Sequence, residues 1–198
     1  MIRTVTVFYA LASPWAYLAW QRFQDLCTAS GAHVDHRLIK VAEVFKVSGG
    51  LPLGQRAPQR QAYRLMELRR WRAHLGVPLN LEPRFFPVDE QRAARMVIAH
   101  GQAGGDVATL SHALLRAVWM EERDIADPAT LTQIATEQGL DGAALQQSAD
   151  STIVGDAYQA NTDQAIAAGV FGVPTFVVGD ELFWGQDRLD FLARALHA

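Results

Sequence analysis

The residues with the clearest chemical potential lie at opposite ends of the chain, and the first of them is Ser13. It precedes Pro14, the order typical of a helix start, with serine at the N-cap and proline in the first turn. Such a hydroxyl can simply cap the helix, which contributes about 1 kcal/mol, or it can donate a hydrogen bond to an anion. The second piece is Gly172-Val173-Pro174, where Val173 precedes a proline whose peptide bond can be cis or trans.

Four charged residues are further candidates for ligand binding. Arg60 begins a basic helical segment, where its fork-shaped guanidinium could grip a carboxylate. Lys46 stands at a predicted domain hinge, and Arg84 stands in a proline-rich turn. Each of these cations could equally be a surface charge, because charge runs on helices usually face solvent. Asp187 stands where the last helix is expected to start, so it could be an N-cap.

Composition excludes several classes of protein. A chain of 198 residues with 49% hydrophobic and 20% charged residues is typical of a soluble globular protein. The net charge of -3 gives no attraction to nucleic acid or anionic membranes, and no apolar run reaches the roughly 20 residues of a membrane span. The single cysteine, Cys27, excludes an internal disulfide and falls on an apolar helix face. His33 and His36 point to opposite strand faces, and Glu121 and Glu122 do not converge on their helix, so neither pair predicts a metal or acid–base site. We therefore expect a cytoplasmic protein without a metal site.

Apolar periodicity predicts the elements that position these residues. Residues 4–11 form a nearly continuous apolar run typical of a buried strand. A helix from Ser13 to Gly31 and a second strand at 33–39 complete a βαβ unit, and the Gly- and Pro-rich residues 48–58 predict a loop.

A long helical block follows that loop. Its first helix, Pro58–Leu75, has a predicted buried stripe of Ala62, Leu65, Leu68, Trp71 and Leu75. Further helices are predicted over residues 89–100, 106–122, 128–138, 141–149 and 152–168, with Asp127 and Asp141 as caps. Near the C-terminus a turn at Gly179-Asp180 predicts a hairpin, and a last amphipathic helix follows it.

This order of elements predicts an α/β protein with a thioredoxin-like fold interrupted by an all-helical insertion domain. Residues 1–45 and 170–198 would form the discontinuous thioredoxin-like domain, and residues 46–169 the insertion. In such a fold the loop before the first helix meets the loop that precedes the proline. That junction normally carries a Cys-Pro-x-Cys pair, but here Ser13 and Ala16 stand at both cysteine positions. We therefore expect the sulfur to arrive with a ligand.

The chain also resembles the 2-hydroxychromene-2-carboxylate isomerases, which are related to kappa-class glutathione transferases and to periplasmic disulfide oxidoreductases. The matching segments run the whole length of the chain in family order. They are Phe8-Tyr9 with Ser13-Pro14, Val44-Phe45-Lys46, Pro58-Gln59-Arg60, and residues 75–79, 86–89, 169–175 and 183–188.

The resemblance implies a glutathione-dependent isomerase that acts on an aromatic-ring degradation intermediate. It implies that Ser13 is catalytic and that Ser13, Val173, Trp184, Gly185, Gln186 and Asp187 bind glutathione. The backbone of Val173 would pair with the cysteinyl unit, and Asp187 would be the counter-ion of the γ-glutamyl amino group. Lys46 and Arg60, with Arg84 as a further candidate, would bind the substrate carboxylate. A homodimer is also expected. One departure is Gly49-Gly50, where relatives often carry Gly-Asn.

The resulting hypothesis is isomerisation through a serine-stabilised glutathione thiolate. The thiolate would add to a conjugated double bond, the resulting single bond would rotate, and the thiol would leave unchanged. Lowering a thiol pKa by two from about 8.5 takes about 2.7 kcal/mol. A hydrogen bond to a charged group contributes about 1.5–3 kcal/mol, and a helix N-terminus up to about 2 kcal/mol.

Three alternatives remain open at this point. A kappa-like glutathione transferase would release the conjugate instead of regenerating glutathione. A thioredoxin-like binding module would have no activity. A dithiol oxidoreductase is disfavoured, because one cysteine cannot cycle a disulfide alone.

Overall fold

The computed structural model describes residues 3–197, which form a four-stranded mixed sheet with helices on both sides. The strand order is β2-β1-β3-β4, with β1 parallel to β2 and antiparallel to β3. The strands are β1 Thr4–Tyr9, β2 His33–Leu38, β3 Thr175–Val178 and β4 Glu181–Trp184.

Nine α-helices occur within the described part of the chain. They are α1 Pro14–Ser30, α2 Val41–Ser48, α3 Pro58–Leu75, α4 Gln91–Gln102, α5 Val107–Trp119, α6 Pro128–Glu137, α7 Gly142–Ala149, α8 Thr152–Ala167 and α9 Leu189–His197. The thioredoxin-like fold with a helical insertion is thus confirmed. No helix within residues 3–197 has the length and apolar character needed to cross a membrane.

The helix α1 positions the N-terminal site residues because both of its ends are fixed by sequence. Ser13 caps its start, and Gly31 ends it in the left-handed conformation at φ 65°, with its N–H bonded to the carbonyls of Cys27 and Thr28. One face of α1 packs on the sheet, where Phe23 stacks on Phe176 at a centroid distance of 4.6 Å. This packing fixes the start of α1 beside the end of β1.

Two side chains of α1 also join the sheet to the helical insertion. The Tyr17 hydroxyl donates to the carbonyl of Pro78 at 2.8 Å, and the Trp20 indole N–H donates to the carbonyl of Ala108 at 3.1 Å. In the strand beside α1, the Tyr9 hydroxyl pairs with that of Ser111 on α5 at 2.7 Å. These three hydrogen bonds tie α1 and β1 to the helical insertion.

The predicted domain boundaries at residues 45–46 and 169–170 stay a prediction, and two helices connect the two predicted domains. The helix α2, which the sequence patterns did not predict, spans residue 45. The helix α8 belongs to the predicted insertion in sequence, but it packs against β2 of the sheet and against α2.

Two local predictions need correction. Ala62 on α3 is exposed, while Leu68 on the same helix is buried. The helix α5 ends at Trp119, so Glu121 and Glu122 lie in a loop and not on a helix. Glu121 there pairs with Arg116 at 2.9 Å, because the chain turns back at Glu122, whose φ is 54°.

Candidate active site

Ser13 lies at the N-terminus of α1 with its side chain toward the loop before β3. Its Oγ accepts a hydrogen bond from the N–H of Ala16 at 3.2 Å, so the serine is an N-cap. The same hydroxyl faces the carbonyl oxygen of Val173 at 3.5 Å, the outer limit of a hydrogen bond. Because the hydroxyl proton is only weakly engaged, Ser13 can cap the helix and also donate to a ligand atom.

Val173 lies opposite Ser13 and precedes a cis peptide bond to Pro174. Among residues 3–197, the backbone N–H of Val173 finds no acceptor, nor does that of Trp15 in the first turn of α1. These N–H groups and the Ser13 hydroxyl leave donors free on both sides of the junction. An extended peptide or an anion would satisfy them.

The loop from Trp184 to Asp187 lies next to this junction. The N–H of Gly185 donates to the carbonyl of Pro174 at 2.9 Å. Gly185 has φ 107°, and a Cβ built on it would lie 2.6 Å from Oδ1 of Asp187, so a side chain there would be strained and would displace the carboxylate. The half-exposed Trp184 stacks on Phe171 at a centroid distance of 4.7 Å.

Gln186 is buried and is held by Arg22 of α1. The guanidinium donates to the Gln186 backbone carbonyl at 3.0 Å and also to its side-chain oxygen. Burial lowers the pKa of Arg22, while the nearby Asp190 and Asp187 raise it. Arg22 thus fixes the loop that carries Asp187, although nothing in its sequence spacing indicated this role.

Asp187 is not the N-cap of the last helix. The carbonyl of Arg188 accepts hydrogen bonds from the N–H groups of Phe191 and Leu192, so Arg188 holds the cap position. The Asp187 carboxylate lies 3.3 Å from the Arg188 guanidinium and lines a cavity. It is therefore available to a ligand.

Two adjoining cavities surround these residues. The Ser13 cavity has a volume of about 600 Å³, and its lining includes Ser13, Phe45, Phe86, Glu90 and Phe171. The Asp187 cavity has a volume of about 510 Å³, and its lining includes Tyr63, Trp71, Gly185, Gln186 and Asp187. Both volumes are typical of small-molecule sites. The residues common to both cavities are Trp15, Arg56, Arg60, Arg64, Val173 and Trp184.

Most of the predicted site residues therefore meet in one continuous space, but two do not. Lys46 is exposed on α2 and Arg84 is exposed in the proline-rich turn, and neither lines the two cavities. The Arg84 guanidinium lies over the ring of Phe85, 5.1 Å from its centroid. Their roles in carboxylate binding stay predictions.

Arg64 is a cavity residue that the sequence patterns placed on a solvated helix face. Its guanidinium lies over the rings of Phe86 and Trp119, 5.3 and 5.8 Å from their centroids. Burial and then the nearby charge of Arg56 lower its pKa to about 10. The signal available in the sequence was the four-residue spacing of Arg60 and Arg64 on one helix.

Glu90 is the acidic group of the Ser13 cavity. Its carboxylate accepts a hydrogen bond from the N–H of Ala12 at 2.8 Å. Burial raises its pKa to about 7, although hydrogen bonds from the backbone of Ala12 and Leu11 oppose the shift. A carboxyl that titrates near neutrality thus contacts the residue that precedes Ser13.

Gly50 lies against Phe45 in the Ser13 cavity. A Cβ built on it would lie 2.3 Å from the ring, so the ring occupies the space of any larger side chain. The cavity wall here is therefore aromatic.

The thiol of the chain itself does not belong to this site. Cys27 is buried in the core, 3% exposed, and lines neither cavity. Burial raises its pKa to about 12, so it stays protonated and unreactive. The site has donors for an anion, cations for carboxylates and aromatic walls, but any sulfur must come from a ligand.

Comparison with known proteins places this geometry in context. The DSBA-like thioredoxin domain family matches residues 4–197. The 2-hydroxychromene-2-carboxylate isomerase of Sphingobium xenophagum is 31% identical, with 97% of each chain covered. Human glutathione S-transferase kappa 1 is 25% identical, with 98% of this chain and 91% of that protein covered. A solved structure of a 2-hydroxychromene-2-carboxylate isomerase has a TM-score of 0.81 at 28% identity, with 98% of this chain and 94% of that chain covered.

Proposed function

The chain belongs to the DSBA-like thioredoxin domain family and, within it, to the 2-hydroxychromene-2-carboxylate isomerases, and on this premise we propose that it is a glutathione-dependent cis–trans isomerase. The substrate would be 2-hydroxychromene-2-carboxylate or a close aromatic analogue. One observation carries the proposal: Ser13, Val173 and the loop from Trp184 to Asp187 line a continuous space. That space contains no cysteine of the described chain.

Glutathione fits the polar groups of this space. The Asp187 carboxylate would pair with the γ-glutamyl amino group, beside the buried Gln186. The unpaired N–H and the carbonyl of Val173 match the backbone of the cysteinyl unit, as in the addition of a strand to a sheet edge. The relative named glutathione S-transferase kappa 1 supports this cofactor. A cytoplasmic location would keep it in the reduced form.

When bound, glutathione would supply a thiolate that adds reversibly to the conjugated double bond and leaves again, with no net oxidation. The Ser13 hydroxyl and the N-terminus of α1 would hold the negative charge of the sulfur. Arg60 would hold the substrate carboxylate and stabilise the charge that develops on the conjugated system. The rings of Phe45, Phe86 and Phe171 would enclose the aromatic part of the substrate.

A Ser13→Ala variant tests the role of the hydroxyl, and Ser151→Ala is its matched control. Both serines are N-caps: Ser151 accepts from the N–H of Val154 at 3.4 Å, at the start of α8 and outside both cavities. Both variants should lose about 1 kcal/mol of stability. Only Ser13→Ala should lose isomerisation rate, by about 10- to 100-fold, which is the effect of one hydrogen bond to an anion. Equal rates in the two variants would contradict the assignment.

A glutathione balance separates the isomerase from the transferase alternative. Similarity to human glutathione S-transferase kappa 1 is the reason to test that alternative. The reaction is run with substrate in excess, and free glutathione is measured at completion. An isomerase leaves the glutathione concentration unchanged, whereas a transferase consumes one glutathione for each product. A stoichiometric loss of glutathione would overturn the proposal in favour of conjugation. Absence of turnover with the substrate and its analogues would favour the binding module.

A further inference from the structure

Three arginines without counter-ions form the shared wall of the two cavities. Arg60 and Arg64 stand four residues apart on α3 and so share one face, and Arg56 lies in the extended segment that leads into this helix. All three line both the Ser13 cavity and the Asp187 cavity. We name Arg56, Arg60 and Arg64 the arginine row.

The arginine row has no acidic partner, whereas six other arginines of the described residues form ion pairs. Within residues 3–197, none of its members forms a salt bridge. The ion pairs of other arginines include Arg70 with Glu67, Arg92 with Asp150, Arg116 with Glu121 and Arg123 with Glu137. Glu67 lines the Asp187 cavity, but it pairs with Arg70 instead of the row. Among residues 3–197, the row therefore presents three guanidinium groups that no carboxylate contacts directly, although Glu90, Glu67 and Asp187 line the same cavities.

Arg64 is the most buried member and the one best prepared for a planar anion. The two rings beneath it, Phe86 and Trp119, restrict the plane of its guanidinium, and no acceptor among residues 3–197 bonds its N–H groups. A guanidinium held in this way presents a fork of donors that matches a carboxylate. Arg56, in contrast, already donates through Nε to the carbonyl of Leu51 at 2.8 Å.

We propose that Arg60 and Arg64 together form a two-carboxylate site, so that the preferred substrate is a close aromatic analogue of 2-hydroxychromene-2-carboxylate that carries a second carboxylate. This inference rests on the proposed function for Arg60 and adds Arg64 as the residue that determines specificity. The aromatic walls favour the substrate as the source of both carboxylates, because Phe86 under Arg64 lines the Ser13 cavity and not the Asp187 cavity. The glycyl carboxylate of glutathione is the other possible source, and the experiment distinguishes them.

The test measures binding without glutathione, so it does not depend on turnover. Benzoate, phthalate and isophthalate are titrated by calorimetry into the wild type, Arg64→Met, Arg60→Met and Arg69→Met. Arg69 is the matched control, because it stands exposed on the same helix and lines neither cavity. Circular dichroism confirms folding, and Arg64→Gln replaces Arg64→Met if that variant does not fold.

The wild type should bind at least one dicarboxylate about tenfold or more tightly than benzoate, the effect of one added charge-assisted bond. Arg64→Met should bring that ratio close to one and leave benzoate binding intact, whereas Arg69→Met should keep the wild-type ratio. Equal affinities for mono- and dicarboxylates in the wild type would overturn the inference, as would a ratio that Arg64→Met leaves unchanged.

A glutathione titration of the same variants identifies the other source. If Arg64→Met weakens glutathione binding about tenfold but leaves the carboxylate ratio unchanged, Arg64 serves the glycyl end and the dicarboxylate inference is wrong. That outcome leaves the proposed isomerase function standing. Conversely, stoichiometric consumption of glutathione would overturn the proposed isomerase function without altering the measured preference for two carboxylates.

Discussion

Glu90 should make the stability of this protein depend on pH near neutrality, and Glu90→Gln removes that dependence. The carboxyl is partly buried beside Ala12, where it lines the Ser13 cavity, and the groups that reach it electrostatically are Asp89, Tyr9 and Tyr158. None of these groups is a cation. Burial therefore raises the Glu90 pKa from 4.5 to about 7.

The magnitude follows from that pKa difference. A difference of one in pKa between the folded and unfolded states corresponds to about 1.4 kcal/mol. The folded protein therefore binds this proton more tightly than the unfolded chain by about 3 kcal/mol. Because the folded pKa is raised, this stabilisation is complete below the unfolded value of 4.5 and is lost as the pH rises through about 7. The amide introduced by the substitution does not titrate, so the stability of Glu90→Gln relative to the wild type should rise by up to about 3 kcal/mol across this window.

Urea denaturation of both proteins at pH values from about 4.5 to about 8 measures this difference. Glu82→Gln is the control, because Glu82 is exposed in the loop before α4. Its stability relative to the wild type should change little over the same range. A Glu90→Gln difference that stays flat between the lowest and highest pH would refute the reasoning, and so would one that falls.

Two further predictions concern the walls of the Ser13 cavity. Gly50→Asn should destabilise the fold by about 1–3 kcal/mol, because the new side chain must displace the Phe45 ring. Urea denaturation measures this change in stability, and an unchanged stability would show that the ring moves freely. Arg60→Ala should weaken benzoate binding about tenfold, since its guanidinium lines both cavities. Lys46→Ala and Arg84→Ala should change benzoate affinity less than about twofold, because both side chains lie outside the cavities. A larger loss of benzoate affinity by calorimetry in either variant than in Arg60→Ala would contradict this placement.

The order of elements could be read from the sequence because local signals agree with the fold. Ser13 with Pro14 and Gly31 bound α1, and Asp127 and Asp141 accept hydrogen bonds from the N–H groups of Thr130 and Ala144 as N-caps. The helix α2 escaped prediction because it has eight residues and no side-chain cap. Gly49, where this helix ends, also begins the Gly- and Pro-rich segment that predicts a loop.

The site was only partly predictable, because its charged wall depends on contacts far apart in sequence. Arg64 belongs to a helix whose charges read as a solvated face, and only the rings of Phe86 and Trp119 bring it into a cavity. Glu90 gave no signal, since its burial depends on the loop around Ala12. Ser13 and Val173 could be paired in advance because they are fixed by the topology of a single fold.

The central claim is that Ser13 and the start of α1 hold a glutathione thiolate. Its most direct test is the thiol pKa of bound glutathione, measured from thiolate absorbance against pH in the wild type, Ser13→Ala and Ser151→Ala. The wild type and Ser151→Ala should lower that pKa by about two from about 8.5. In Ser13→Ala the pKa should return toward that of free glutathione by about half of this shift or more. A bound thiol that ionises at the same pH as free glutathione in the wild type would contradict the account.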